Sequence, residues 1–335
     1  MPSPHPSALP TPATTSADTS VPAVSVKALT KAFRSAGGKQ VQVLQGVDLV
    51  ARAGEVTTLL GTNGAGKSTT LACAQGLLEP DGGEVRLLGQ TPWHADANLR
   101  ARVGVMLQDG GLPPSQKPVS YLRHVASLYR HPRHVGELVH LLGIDQFAKT
   151  SIRRLSGGQK QRLALAVALI GDPEVLFLDE PSAGLDPQSR QVVFDLIRTL
   201  RAEGRAVVLT THLLEDAEKL SDTIYVIDRG RTVAHGSVAE LTQADGAADL
   251  VAGFAAGVTP AWPEGVWARR EGVDTWVVQD VADPELLARL TRAWADQGLM
   301  PQRLHLRQRT LEEAFLELAD HTDGAHHQEE ATETA

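Results

Sequence analysis

A glycine-rich octapeptide at residues 61–68, Gly-Thr-Asn-Gly-Ala-Gly-Lys-Ser, lies between an apolar run and a segment typical of a helix. The apolar run is Val56–Leu60, and the helical segment begins at Thr69. Glycines let the backbone turn tightly and point successive N–H groups inward, and the positive end of the following helix adds to their attraction for phosphate. Strand, glycine loop and helix therefore predict a triphosphate site on an α/β fold, and disfavour an ordinary glycine turn.

In this interpretation two side chains of the octapeptide carry chemistry. Lys67 reaches the β- and γ-phosphates with its ammonium group, and Ser68 offers its hydroxyl to Mg²⁺. The sequence thus predicts ATP-type chemistry with a divalent cation.

Composition excludes several other classes of protein. The chain has 335 residues, of which 42% are hydrophobic, so it can bury a large core and has room for a second, smaller domain. Its net charge of -8 disfavours nucleic acid as a partner, because phosphate backbones are bound by basic surfaces. The single cysteine, Cys73, excludes a disulfide framework within the chain and is predicted to be a small buried side chain. No run approaches the ~20 apolar residues that span a bilayer.

Hydrophobic periodicity predicts a parallel sheet with helices on its faces, because helical and extended patterns alternate after residue 156. Strands are expected before the octapeptide at residues 24–26, 41–44 and 47–50, and after it at 84–88, 103–107, 175–178, 206–210 and 224–227. Helices are expected at 157–170, 188–202 and 213–220, with an inserted helical block between 110 and 154. Beyond residue 246, strands at 266–270, 275–278 and 304–307 and helices at 283–297 and 310–318 predict a small α+β module.

These patterns divide the chain into four segments. Residues 1–22 lack Lys and Arg and are predicted to be a disordered leader rather than a secretory signal. Residues 23–245 form the large domain, 246–320 the small C-terminal domain, and 321–335 a disordered tail. The last helix begins with a predicted capping box, in which Thr310 is followed three residues later by Glu313.

A second anion-binding helix start is predicted at residues 154–163, Arg-Leu-Ser-Gly-Gly-Gln-Lys-Gln-Arg-Leu, with Ser156 as the N-cap. Farther along, the apolar run Val175–Leu178 ends in Asp179 and Glu180. Two carboxylates then lie at the C-terminal edge of the sheet, where α/β folds bind their ligands. One of them can hold Mg²⁺ and the other can hold a water molecule.

Taken together, these motifs resemble the ATPase subunits of ABC transporters over about residues 24–236. Residues 61–68 match the phosphate loop of that family, 155–159 its signature sequence and 182–186 its D-loop. Gln108 resembles the Q-loop glutamine, and His212, after the run 207–211, resembles the switch histidine. The resemblance implies a P-loop NTPase fold of the ABC ATPase type, with an antiparallel β-subdomain and a helical subdomain, plus the small C-terminal α+β domain.

The resemblance also implies residue roles. Glu180 polarises the attacking water, His212 contacts the γ-phosphate, and Lys67 and Gln108 complete the catalytic set. Mg²⁺ is held by Ser68, Gln108 and Asp179. Phe33 matches the aromatic that stacks on adenine, for which a core phenylalanine is the alternative. The nucleotide-contacting residues are then Phe33, Gly61, Thr62, Asn63, Gly64, Ala65, Gly66, Lys67, Ser68, Thr69, Ser156, Gly157, Gly158, Gln159 and Asp186.

Partners follow from the same resemblance. Ser156 and Gly158 contact the γ-phosphate bound to the opposite subunit in this family, which implies an ATP-dependent head-to-tail homodimer or pseudo-symmetric heterodimer with Asp186 at its interface. A separate membrane permease, docked near Gln108, places the chain on the cytoplasmic face of the cell membrane. Residues 76–85 and 310–316 resemble ABC-2 type exporters, including drug-resistance ATPases, which implies export of a hydrophobic compound, drug, lipid or glycan.

Alternatives stay open on three questions: the class of function, the role of the C-terminal module and the role of the histidines. The chain could be a soluble, non-transport ABC-type ATPase acting on a macromolecular partner, or an ATP-holding switch without turnover, although Glu180 argues against the switch. The C-terminal module either modulates dimer contacts and partner choice or is a stabilising appendage. His131 with His134, and the pair at 326–327, are metal ligands or, as we favour, solvated histidines.

Overall fold

The structure is a computed structural model that describes residues 21–35, 37–107, 111–242, 248–281, 283–307 and 310–313. The predicted leader and tail lie largely outside these residues, as does Gln108. The division into domains therefore stays a prediction.

The first sheet is antiparallel and has three strands in the order β2-β1-β4. They are β1 (Val24–Arg34), β2 (Gln40–Ala51) and β4 (Gly82–Leu87). The sequence interpretation of 41–44 and 47–50 as separate strands is wrong, because Gly46 does not end the strand. It has a φ of 112° and lies between Gln45, which pairs with Thr30, and Val47, which pairs with Leu29. Gly46 thus forms a bulge within one long strand.

The central sheet has six strands in the order β5-β6-β7-β3-β8-β9, of which the first five are parallel. They are β3 (Val56–Leu60), β5 (Val103–Met106), β6 (Val175–Asp179), β7 (Ala206–Thr211), β8 (Thr223–Asp228) and β9 (Arg231–Gly236). Every residue of β3, β6 and β7 is buried, as expected for parallel strands covered on both faces. The antiparallel edge strand β9 was not predicted from the sequence.

The register of the central sheet brings the ends of three strands together. Leu60 at the end of β3 pairs with Thr211 of β7, and Asp179 at the end of β6 pairs with Thr210 of β7. Because parallel strands end at the same edge of a sheet, the octapeptide, the two carboxylates and the segment containing His212 all leave the sheet side by side.

Helices cover this sheet and build the inserted block. They are α1 (Lys67–Ala74), α2 (Ala97–Ala101), α3 (Pro118–Ala126), α4 (Val135–Leu141), α5 (Gly157–Leu169), α6 (Pro187–Ala202), α7 (Leu214–Leu220), α8 (Val238–Thr242) and α9 (Pro284–Asp296), with 3-10 turns at Ile144–Phe147 and Ile152–Arg154. Leu122 of α3, Leu138 of α4 and Phe147 share one core cluster with Leu163 of α5. The helical block is therefore packed onto the helix that follows the signature sequence.

A third sheet follows residue 247, with four antiparallel strands in the order β11-β12-β10-β13. The strands are β10 (Ala248–Gly253), β11 (Ala268–Arg270), β12 (Thr275–Val281) and β13 (Arg303–Arg307). Trp294 and Leu290 of α9 pack against it in a separate core cluster. The sequence analysis missed β10 because its small residues give a weak pattern, yet β10 pairs with strands on both sides.

The last described residues connect this third sheet to the central one. Thr310 and Glu313 form the predicted capping box, with the Thr310 N–H donating to Glu313 Oε2 (3.0 Å) and the Glu313 N–H donating to Thr310 Oγ1 (3.2 Å). Leu311 is 1% exposed and lies in a core cluster with Leu60 and Ala217. Within the residues that the structure describes, every helix is too short or too polar to cross a bilayer.

Candidate nucleotide-binding and hydrolysis site

The octapeptide forms a glycine loop that has no room for a side chain at Gly66. Gly64 and Gly66 have φ values of 85° and 106°, which favour glycine. A Cβ on Gly66 would lie 2.6 Å from Leu44 Cδ2 and 3.3 Å from the Val43 carbonyl oxygen. Gly66 is also the N-cap of α1, and no side chain caps that helix. The first N–H groups of α1 are therefore available to an anion.

Lys67, the first residue of α1, is 6% exposed and turns back over the loop. Its ammonium donates to the carbonyl oxygens of Gly61 (2.8 Å) and Thr62 (3.0 Å). Burial lowers the pKa of Lys67 below its ordinary value, while the carboxylates of Glu180 and Asp179 act in the opposite direction. A cation is thus held among the loop carbonyls beside two carboxylates.

Asp179 gathers two hydroxyl groups at the end of β6. Its Oδ1 accepts hydrogen bonds from Ser68 Oγ (3.3 Å) and Thr210 Oγ1 (2.5 Å). Hydroxyl and carboxylate oxygens are the hard ligands that Mg²⁺ prefers. Ser68 and Asp179 therefore converge as a pair that fits this cation, at the start of the helix that would receive the phosphates.

Glu180 is held at several points in an uncommon backbone conformation. Its φ is 49°, a left-handed value for a residue other than glycine, and it is 7% exposed. Its N–H donates to Thr210 Oγ1 (3.0 Å), and its carbonyl accepts a hydrogen bond from Gln161 Nε2 (2.6 Å). Such conformations persist where neighbours over-determine them, and they are concentrated at functional sites.

His212 pairs with Glu180 across the mouth of the site. Its Nδ1 lies 3.0 Å from Glu180 Oε1, and its side chain is 40% exposed. The histidine lines a cleft of about 250 Å³ together with loop residues Gly61, Thr62 and Asn63. The imidazole and the glycine loop therefore share one opening, and the Glu180 carboxylate lies within hydrogen-bond distance of that imidazole.

The signature segment forms the second helix start, as predicted, but it is exposed. Ser156 is the N-cap of α5, where the Gln159 N–H donates to Ser156 Oγ (3.3 Å) and the Ser156 N–H donates to Gln159 Oε1 (3.0 Å). A Cβ on Gly158 would lie 3.0 Å from Leu185 Cδ2. Asp186 caps α6 through the Ser189 N–H (3.0 Å) and hydroxyl (2.7 Å).

The structure thus brings together one part of the predicted site and leaves another apart. Lys67, Ser68, Asp179, Glu180 and His212 lie at one edge of the central sheet. Across the described residues, the signature segment and Asp186 make no hydrogen bond to that group.

Phe33 is 42% exposed, so the alternative of a core phenylalanine is wrong. It pairs with Val41 of β2, two residues before Val43, whose carbonyl oxygen lies beside the Gly66 position. The Lys31 ammonium lies 5.9 Å from the centre of the Phe33 ring. An exposed ring on the strand pair next to the glycine loop suits stacking, which stays a prediction.

Two residues of this site were missed from the sequence. Thr210 bonds both Asp179 and the Glu180 N–H, and Gln161 bonds the Glu180 carbonyl. A signal for Thr210 existed, since Thr210 and Thr211 are a polar pair at the end of an otherwise apolar strand. Gln161 gave none, because one polar residue in a helix is ordinary.

Other predicted side chains lie apart from this site. Cys73 is buried, as predicted, and burial raises the pKa of its thiol to about 11. His131 and His134 are exposed. In the described parts of the chain no group of three His, Cys, Asp or Glu side chains is placed to hold a metal ion.

Comparison with known proteins identifies the family. The family described as ABC transporter matches residues 44–183. The Nod factor export ATP-binding protein I of Ralstonia nicotianae is 39% identical over 238 residues, covering 69% of this chain and 72% of that protein. The chain belongs to the ABC transporter ATP-binding proteins. The daunorubicin/doxorubicin resistance ATP-binding protein of Streptomyces peucetius is 33% identical over 320 residues, covering 91% of this ABC chain and 97% of that relative.

Solved structures agree with this assignment. An ATP-binding subunit of an ABC transporter aligns with a TM-score of 0.60 at 26% identity, covering 66% of this chain and 92% of that one. A dimeric ATP-binding cassette in a post-hydrolysis state, bound to ADP and Pi, aligns with a TM-score of 0.58 at 25% identity. The alignment covers 64% of this chain and 98% of that one. The chain is thus a nucleotide-binding ATPase with the ABC cassette fold, as the sequence analysis predicted.

Proposed function

We propose that this ABC ATPase hydrolyses Mg²⁺–ATP with the residues predicted above and drives export through a separate membrane permease. The observation that carries the proposal is the convergence of Lys67, the Ser68–Asp179 pair and the Glu180–His212 pair at one edge of the central sheet. Phosphoryl transfer to water needs positioning and charge stabilisation more than covalent chemistry, and this set supplies both.

The loop and Lys67 bind the phosphates. When ATP enters, the free N–H groups at the start of α1 donate hydrogen bonds to phosphate oxygens, and the ammonium of Lys67 exchanges its loop carbonyls for the β- and γ-phosphates. Ser68, Asp179 and Gln108 would hold Mg²⁺, which would supply positive charge to the phosphate oxygens. Phe33 stacks on the adenine.

Glu180 and His212 activate the water. The Glu180 carboxylate accepts a proton from the attacking water as the water oxygen bonds to the γ-phosphorus and the bond to the ADP oxygen breaks. His212 keeps Glu180 aligned through the 3.0 Å contact and faces the γ-phosphate from the shared cleft. Because the glutamate backbone is bonded at both its N–H and its carbonyl, its carboxylate is positioned before the substrate arrives.

The exposed signature segment supports a dimer. Ser156 and Gly158 lie at a helix start that is exposed or half-buried and that makes no bond to the chain's own phosphate loop among the described residues. In a head-to-tail pair, this helix start meets the γ-phosphate held by the other subunit, and Asp186 faces the interface. Closure on ATP and opening after hydrolysis then form a cycle that can move a partner.

Export is supported by the relatives. Two of them carry names that specify Nod factor export and daunorubicin/doxorubicin resistance, and both assign ATP binding to the chain that resembles this one. We therefore propose a hydrophobic compound, drug, lipid or glycan as cargo. A separate permease on the cytoplasmic face of the cell membrane would carry it, with Gln108 near the docking groove.

Substitution of Glu180 by Gln tests the proposal. Glutamine keeps the size of the side chain but cannot take a proton from water, so steady-state phosphate release should fall by about 10²- to 10⁴-fold. ATP affinity should stay within about threefold, because the phosphate contacts remain. With ATP the variant should have the mass of a dimer in light scattering.

The matched control is Glu137→Gln, an identical change at an exposed position of α4, which should leave ATP hydrolysis unchanged. Full activity of Glu180→Gln would remove Glu180 from its role. A strictly monomeric ATP-loaded variant would refute the proposed dimer.

A further inference from the structure

Asp216 is a buried carboxylate that the mechanism above does not use. It lies in α7, four residues after His212, and is 1% exposed. Buried carboxylates require hydrogen-bond donors or a cation as partners. Asp216 has both: the Ser182 hydroxyl donates to its Oδ2, and the Arg190 guanidinium donates to its Oδ1.

Ser182, which makes one of these contacts, lies close to Glu180 in the chain. Ser182 is 5% exposed and follows Glu180 by two residues, with Pro181 between them. The proline ring fixes one backbone angle of this short connection. The place of the Ser182 hydroxyl therefore bears directly on where the Glu180 backbone lies.

Two hydrogen bonds close a ring through the site. One joins Glu180 to His212, and the other joins Ser182 to Asp216. Residues 180–182 connect them on one side and residues 212–216 on the other. Because both connecting segments are short, a change at one hydrogen bond is transmitted to the other.

Arg190 and Ser182 contribute differently to Asp216: the arginine neutralises its charge, and the serine has a positioning role. Arg190, on α6, pairs with Asp216 and lies 3.7 Å from Glu215, so it supplies the positive charge near this carboxylate. The Ser182 hydroxyl is neutral and adds no charge. Its contribution is to tie the residues after Glu180 to the helix after His212.

We infer that Ser182 is a positioning residue, anchored by Asp216, that holds Glu180 and His212 in register for water activation. The inference rests on the roles proposed for Glu180 and His212. Ser182 touches neither nucleotide nor water in this account; it acts through the two residues of the ring. Asp216 is its fixed point, since that carboxylate stays paired with Arg190 when the hydroxyl is removed.

The test is Ser182→Ala in the full chain, with Ser182→Thr as the rescue. Alanine removes the hydroxyl and leaves the Asp216–Arg190 ion pair intact. We expect kcat to fall by about tenfold, since small misplacements of catalytic groups cost up to about 10²-fold. KM and the affinity for a non-hydrolysable ATP analogue should change little, and the thermal midpoint should fall by no more than the few degrees that one lost buried hydrogen bond costs. Threonine restores the hydroxyl and should return kcat to within about twofold.

A second readout reports on the ring itself. The ¹⁵N resonance of His212 Nδ1, assigned by its loss in His212→Gln, should move in Ser182→Ala and return in Ser182→Thr, because the contact to Glu180 is altered. Ser127→Ala is the control. It removes an exposed serine hydroxyl at the C-cap of α3, which donates to the His124 carbonyl in the last turn of that helix. That variant should match the unsubstituted chain in both measurements.

Several outcomes would overturn the inference. An unchanged kcat in Ser182→Ala would do so, and so would a joint loss of kcat, nucleotide affinity and stability that threonine does not restore. Comparison with Glu180→Gln distinguishes the two proposals. An inactive Glu180→Gln with a fully active Ser182→Ala refutes only the positioning role, whereas a fully active Glu180→Gln refutes the proposed base.

Discussion

The helix starts of α1 and α5 in this ATPase differ in burial and in the hydrogen bonds that connect each to the rest of the chain. The start of α1 has no side-chain cap, and the Lys67 that begins it is buried beneath the glycine loop. The start of α5 is capped by its own Ser156 and Gln159, and Ser156 is exposed. The first is joined to Asp179 through Ser68, while the capping bonds of the second stay within its own first turn.

The difference indicates what each helix start is suited to bind. A helix start that leaves its N–H groups free inside a cleft, next to a lysine and two carboxylates, is prepared for phosphate and a cation. A helix start on the surface, with glycines that keep side chains away from it, is accessible to a phosphate group bound to another molecule. In the proposed head-to-tail pair, the two would be complementary surfaces of one site that forms when a second copy is present.

The largest effect is expected from Lys67→Ala. The substitution removes the only ammonium that contacts the phosphate loop among the described residues and frees the carbonyls of Gly61 and Thr62. ATP affinity, measured by titration with a fluorescent nucleotide, should fall by about 10²-fold or more, because a charge-assisted contact in a buried site is lost. ATP hydrolysis should be lost with it.

Lys149→Ala serves as the control, since it deletes an exposed ammonium on the helical block. If Lys67→Ala bound ATP as tightly as this control, the α1 helix start would not be the phosphate site. The contrast between the two helix starts would then lose its basis.

Mixing two inactive variants tests whether the helix starts belong to one site. Ser156→Arg places a bulky side chain at the signature end and should block it, whereas Lys67→Ala disables the phosphate end. A mixed dimer contains one intact composite site, formed by the loop of one chain and the signature of the other. Half of the dimers in an equal mixture are mixed and each has one of two sites, so hydrolysis should recover to about a quarter of the normal rate.

Phosphate release by the mixture and by each variant alone is the measurement, with subunit exchange verified by mass. Sites complete within one chain would give no recovery at all. That result would show that the exposed signature end has no partner of the kind proposed.

The same contrast explains what could be predicted from the sequence. The glycine loop, the signature and the Asp179–Glu180 pair were recognised because each is a contiguous motif in a readable context of strand and helix. Contacts between distant segments could not be predicted. Gln161 reaches the Glu180 carbonyl across 19 residues of sequence, and Ser182 reaches Asp216 across 34.

Strands were missed for a related physical reason. β9 and β10 each contain at most two large apolar residues, so what defines them is their neighbours rather than their own residues. β9 pairs with β8, and β10 lies between β12 and β13. Conversely, residues 41–44 and 47–50 were predicted as two strands, but pairing with β1 carries β2 through Gly46 as a bulge.

The smallest of these effects concerns stability and compares one buried and one exposed polar anchor. Thr210 is fully buried, and its hydroxyl both donates to Asp179 and accepts the Glu180 N–H. Valine has nearly the same shape but removes both hydrogen bonds. The buried Glu180 N–H then loses this acceptor, while Asp179 keeps its bond to Ser68, so Thr210→Val should lower the free energy of unfolding by about 1–3 kcal/mol. Urea denaturation without nucleotide measures this change.

Gln159→Ala is the counterpart at the exposed helix start, where it removes the capping-box bond to the Ser156 N–H. Loss of an exposed cap should cost about 0.5–1 kcal/mol, because water replaces the lost partner. A larger loss at Gln159 than at Thr210 would contradict the contrast, since the signature end would then be the more firmly built of the two. A larger loss at Thr210 supports an active-site edge organised by the chain alone, with the signature end left free for the partner copy that we propose.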